Sequence, residues 1–160
     1  MDYELTSRAR ALGQELKDAG LMMATAESCT GGWIAQSMTA IAGSSAYFDA
    51  GFVTYSNAAK QRMLGVRAET LSQYGAVSRQ VVEEMARGAL QNSGAQVSVA
   101  VSGIAGPDGG SAEKPVGTVW FAWANGERMR SECFQFEGDR EAVRYQTVIV
   151  ALMGMQKNIV

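Results

Sequence analysis

The apolar positions of this chain change period several times, and each change predicts an element. Leu5, Ala9, Leu12 and Leu16 recur at helical spacing with charges between them, which reads as an amphipathic helix ending near Gly20. Residues 21–25 form a short apolar run that reads as a strand. Residues 30–42 return to a helical pattern and stop at Gly43-Ser44-Ser45. Residues 47–55, rich in aromatic and β-branched side chains, read as one or two strands. Ser56-Asn57 looks like a cap for a helix over 58–64, and a second short helix over 68–74 closes at Gly75.

A longer helix opens at Ser78 or Arg79, with Val82, Met85, Ala86, Ala89 and Leu90 as its apolar stripe. Residues 96–102 alternate and are β-rich. A glycine loop follows, Gly103-Ile104-Ala105-Gly106-Pro107-Asp108-Gly109-Gly110. Residues 116–124 and 129–136 then read as a hairpin around Asn125-Gly126. The last helix is expected over 139–156. Helices alternate with strands first and a hairpin comes later, so the expected class is α/β: a three-layer α/β/α sandwich with a mixed β-sheet. No repeat, linker or low-complexity segment divides residues 1–160, and one domain is expected.

Composition narrows the function. At 160 residues, a chain hides roughly 70% of its unfolded surface, enough for a real core. The 14 basic and 16 acidic residues leave a net charge of −2, which argues against a nucleic-acid partner. The polar N-terminus and the lack of a long apolar run argue against a signal peptide or membrane span, so a cytoplasmic protein is expected. Two cysteines, Cys29 and Cys133, make neither a disulfide framework nor a zinc site, and no histidine is present. No metal and no cofactor are therefore expected.

The densest chemistry lies in Thr25-Ala26-Glu27-Ser28-Cys29-Thr30-Gly31-Gly32. A serine at a strand-to-helix turn can expose its hydroxyl beside unpaired backbone N–H groups, which suits a nucleophile or an anion site. Without histidine, a Ser-His-Asp triad is excluded. Amides near Gly31-Gly32 or Gly103–Gly106 could hold an oxyanion; equally, Glu27 and Thr30 could simply cap the helix. Cys29 is a rival nucleophile, because a helix start can lower a thiol pKa. Neighbours in an extended segment point to opposite sides, so only one of Ser28 and Cys29 should face a site.

A serine nucleophile here needs a lysine base, and the chain has four: Lys17, Lys60, Lys114 and Lys157. Lys17 and Lys157 fall on solvated positions. Lys114 completes Ser111-x-x-Lys114, but in a Gly/Pro-rich loop where that motif does not belong. Lys60 falls in a first helical turn, where the dipole and partial burial both disfavour an ammonium. Tyr55, at the strand end, could relay a proton. The glycine loop would lie at a strand's C-terminal edge, where open α/β sheets bind ligands. Arg140 and Arg144, at i and i+4, share a helix face and could clamp a phosphate.

Six segments together resemble the CinA C-terminal domain family: residues 25–32, Val-Thr-Tyr-Ser-Asn-Ala-Ala-Lys at 53–60, Gly-Ala-Val-Ser at 75–78, Ser-Gly-Ile-Ala-Gly-Pro-Asp-Gly-Gly at 102–110, Lys-Pro-Val-Gly-Thr-Val at 114–119 and Gly-Asp-Arg at 138–140. The resemblance covers about residues 5–155. It implies the three-layer fold and hydrolysis of nicotinamide mononucleotide to nicotinic acid mononucleotide and ammonia, within pyridine nucleotide recycling. It implies Ser28 as nucleophile, Lys60 as base and Tyr55 as its assistant. The substrate contacts expected with it are Glu27, Thr30, Gly31, Gly32, Gly103, Gly106, Arg140 and Arg144. Larger CinA proteins add an N-terminal nucleotide-processing domain that this sequence lacks, so only the amidase activity is expected. A non-catalytic binding module of the same fold is the alternative, and a homodimer is the expected assembly.

Overall fold

The structure, a computed structural model, describes residues 1–159. Its first helix, α1 (Tyr3–Ala19), starts where the Asp2 carboxylate accepts from the Leu5 amide at 2.8 Å. It ends at Gly20, which takes φ 69°. Leu21 is still tied to this helix end, its amide donating to the Leu16 carbonyl. Strand β1 therefore runs over Met23–Glu27, two residues later than the apolar run suggests.

Helix α2 covers only Trp33–Thr39. It starts three residues later than expected because Gly31 and Gly32 adopt φ 62° and 107°, a backbone that no right-handed helix contains. It ends early as Ser37 and Thr39 turn their hydroxyls back to the carbonyls of Trp33 and Ala35. A 3₁₀ turn over Ser44–Ala46 leads into one strand, β2 (Phe48–Val53). Helices α3 (Asn57–Leu64), α4 (Ala68–Tyr74) and α5 (Arg79–Gln91) follow. The cap of α3 is Ser56, whose hydroxyl accepts from Ala59 N–H. Ser78 caps α5 in the same way.

Strands β3 (Val97–Gly103), β4 (Thr118–Asn125) and β5 (Arg128–Gln135) complete the sheet, and α6 (Arg140–Ile159) closes the chain. The strand order is β2-β1-β3-β4-β5. Strand β1 pairs parallel with β2 and β3, whereas β3–β4 and β4–β5 are antiparallel, so the sheet is mixed.

Alternation along the strands feeds two cores. Met23, Val97, Val99, Val101, Phe121 and Trp123 face a larger cluster with α1, α2 and α6. Ala24, Ala26, Ala100, Ala122 and Ala124 face a smaller one with α3 and α5. The alanines on the second face let α5 lie close to the sheet. Helix α3 comes close to α5 in turn: a Cβ on Gly88 would clash with the Leu64 carbonyl oxygen. That contact sets the position of α3, which carries Lys60. No helix among the described residues is long and apolar enough to cross a membrane.

Candidate active site

At the C-terminal ends of β1 and β3 the chain leaves the sheet in different directions, and a cleft of about 280 Å³ opens between them. Ser28 forms its floor. Its amide still donates to the Val101 carbonyl, so the residue is held in register with β3 although the strand has ended. The glycine loop after β3, the 76–77 segment before α5, the start of α3 and Arg140 form the walls.

The turn that holds Ser28 is organised by Glu27. This residue is 0% exposed, and its carboxylate accepts from the Thr30 hydroxyl and from the amides of Gly32, Ile34 and Ala35. One side chain thus satisfies orphan donors of α2 from the strand before it. The Gly31 amide donates to the Ser28 carbonyl. Glu27, Thr30, Gly31 and Gly32 therefore shape the turn, and none of the four lines the cleft itself.

Arg144 buttresses the same turn from α6. Its guanidinium donates to the Cys29 and Thr30 carbonyls at 3.0 and 3.1 Å and lies over the Trp33 ring. Arg144 does not line the cleft; it borders a separate surface hollow beside Gly31 and Gly32. Arg140 does border the cleft: it donates to the Gly106 carbonyl at 2.7 Å and to the Tyr55 hydroxyl at 3.1 Å. Tyr55 is 63% exposed and its hydroxyl is held by Arg140 at the rim. Its backbone carbonyl, rather than its hydroxyl, meets Lys60, and the residue lines the cleft.

Lys60 reaches the cleft floor from the fourth position of α3 and is 1% exposed. Its Nζ lies 2.9 Å from Ser28 Oγ, 3.0 Å from the Thr54 carbonyl and 3.2 Å from the Tyr55 carbonyl. No carboxylate pairs with it among the described residues. Burial pushes its pKa below the usual 10.5. All three partners are oxygens that accept from the amine; once the amine is neutral, two N–H groups still meet the two carbonyls and the lone pair faces the serine hydroxyl.

Cys29 has the opposite environment. It is packed in the larger core, and burial pushes its thiol up to about 11. Almost none is thiolate at neutral pH, which disfavours it as a nucleophile. Lys114 donates its Nζ to the Tyr74 carbonyl, away from Ser28. Gly103 and Gly106 line the cleft as expected positions, together with Ala105, whose amide and that of Gly106 find no acceptor within the described residues. Ser102, Asp108, Asn57, Ala76 and Val77 also line it. All five lie inside quoted motifs, but only the pairing of β1 with β3 and the fold of the loops point them here. No group of three His, Cys, Asp or Glu side chains among the described residues could hold a metal ion.

Known proteins resemble this chain over nearly its whole length. The family model described as CinA C-terminal domain matches residues 5–159. The chain is 60% identical to the nicotinamide-nucleotide amidohydrolase PncC of Pseudomonas putida over 94% of each chain. It is also 60% identical to the protein of that name from Escherichia coli K12, covering 94% of this chain and 92% of the relative. A crystal structure of the competence/damage inducible protein CihA from Agrobacterium tumefaciens superposes with TM-score 0.95 at 48% identity, over 99% of this chain and 97% of that one. The family match over residues 5–159, with relatives at 60% identity, leads to one conclusion: this chain belongs to the CinA C-terminal domain family.

Proposed function

We propose that this protein hydrolyses the carboxamide of nicotinamide mononucleotide, releasing ammonia and nicotinic acid mononucleotide, by a covalent Ser28/Lys60 mechanism that recycles pyridine nucleotides. The observation that carries the reading is the 2.9 Å contact between a buried, unpaired Lys60 amine and the Ser28 hydroxyl. The names of the relatives at 60% identity supply the substrate class.

In this mechanism the Lys60 lone pair accepts the Ser28 proton as Oγ attacks the carboxamide carbon. The Ala105 and Gly106 amides, which have no acceptor of their own, stabilise the oxyanion. On collapse the C–N bond breaks, and the Lys60 ammonium returns its proton to the departing nitrogen, which leaves as ammonia. Water, with Lys60 again as base, then opens the acyl-serine ester. Arg140 at the cleft mouth supplies a cation for the substrate phosphate.

Ammonia release from nicotinamide mononucleotide and from its riboside tests this, with wild-type protein, Ser28→Ala and Arg140→Ala. The nucleotide should be turned over and Ser28→Ala should be inert. Arg140→Ala should raise KM for the nucleotide but not for the riboside. Undiminished turnover by Ser28→Ala would refute the covalent mechanism, and silence of the wild-type protein would refute the substrate.

A further inference from the structure

The cleft contains a second buried serine that the mechanism above leaves unused. Ser102 lies on β3 and is 1% exposed. Glu27 of β1 pairs with Val101, so Ser28 and Ser102 follow as lateral neighbours on adjacent parallel strands. Alternation sends Val97, Val99 and Val101 into the larger core. It turns Ser98, Ala100 and Ser102 to the α5 face. Ser28 follows Ala24 and Ala26 onto that same face, where α3 delivers Lys60.

Four residues earlier on the same face, the equivalent hydroxyl of Ser98 is satisfied by the Ala86 carbonyl at 2.8 Å. Ser102 has no such partner among the described residues, and the cleft opens beside it. The unpartnered hydroxyls of Thr25 and Thr54 are sealed inside the protein, whereas Ser102 borders the space a ligand would fill. A hydroxyl at the cleft wall with no protein partner is left to pair with whatever enters the cleft.

We propose that Ser102 Oγ accepts one N–H of the substrate carboxamide and makes the site selective for a primary amide. The inference rests on the amide hydrolysis put forward above. Ser102 keeps its own proton throughout. It turns the leaving nitrogen toward Lys60, while Ser28 forms the new C–O bond and the C–N bond breaks. A site built to bond an N–H discriminates strongly against an analogue without one. An ester at the same carbon lacks that N–H, and so does the carboxylate product.

The test compares Ser102→Ala and Ser102→Thr with wild-type protein on two probes, nicotinamide mononucleotide and the methyl ester of nicotinic acid mononucleotide. Thermal melting of each variant confirms the fold. Loss of one transition-state hydrogen bond of about 1.4 kcal/mol predicts a tenfold fall in kcat/KM for the amide with Ser102→Ala. The ester should be nearly unaffected, and Ser102→Thr, which keeps a hydroxyl, should recover most amide turnover. Equal losses on amide and ester would overturn the assignment, as would an unchanged amide rate. Wild-type protein that releases no ammonia at all would instead overturn the hydrolysis on which the inference rests.

Discussion

Replacing Lys60 with methionine separates what the amine contributes to catalysis from what it costs the fold. Methionine has a similar unbranched reach and fills a 1%-exposed channel without charge. It loses the amine's contacts to the Thr54 and Tyr55 carbonyls at 3.0 and 3.2 Å. Leaving those carbonyls unpaired should cost about 1 kcal/mol each, so the variant should be about 2 kcal/mol less stable where the wild-type amine is neutral both folded and unfolded. That condition holds above pH 10.5, the ordinary lysine value.

As pH falls below 10.5, the unfolded wild-type chain takes up a proton before the folded one, because burial has lowered the folded pKa. Wild-type protein then loses stability relative to Lys60→Met by about 1.36 kcal/mol per pH unit. The loss stops once pH drops below the folded pKa. Denaturant melts of both proteins from neutral pH to pH 10.5 would measure it. The deficit of Lys60→Met should shrink, or reverse, toward neutral pH. Turnover by the variant should fall by about 10²- to 10⁴-fold, the usual contribution of a general base. Wild-type kcat/KM should rise with pH through the folded Lys60 pKa, because an ammonium has no lone pair to accept a proton. A stability difference that stays constant across this range would mean that Lys60 ionises alike in both states, and the neutral-amine mechanism would lose its physical basis.

Glu27→Ala should lower stability by about 3 kcal/mol or more, since it strips a buried hydroxyl and three amides of their shared acceptor; a thermal melt near that of wild type would contradict its role in the turn. Cys29→Ala should keep most of its turnover, because a thiol held near 11 is not the nucleophile; an inert, folded variant would reinstate the thiol. Gly88→Ala forces its new methyl against the Leu64 carbonyl oxygen, so it should destabilise the protein by about 1–3 kcal/mol and reduce kcat by moving α3. A variant with unaltered stability would show that α3 does not depend on that close approach.

Several elements were legible from local pattern alone. The Asp2-capped α1, the Ser78-capped α5, the hairpin β4–β5 and the class of the fold follow from periodicity and turn residues. Element boundaries failed where contacts distant along the chain or positive-φ glycines intervened. Helix α2 starts late because Gly31 and Gly32 bend the turn and Glu27 caps it from the preceding strand. Ser28 and Lys60 could be nominated, since the absence of histidine left few bases. The partition of Arg140 and Arg144 could not, because helical spacing puts both on one face of α6 while the cleft wall passes between them.

The sequence by itself determined the chemical inventory: a hydroxyl at a strand end, an amine early in a helix, glycines where backbone must bend, and no imidazole. Those properties are local, set by residue identity and spacing. Only the tertiary structure decided which groups meet. It brought residues 32 positions apart to 2.9 Å, committed Glu27 and Arg144 to the turn, drew Tyr55 to the rim and set Ser102 beside Ser28. Strand pairing and helix packing fix these distances, and they depend on contacts between segments that no local pattern encodes.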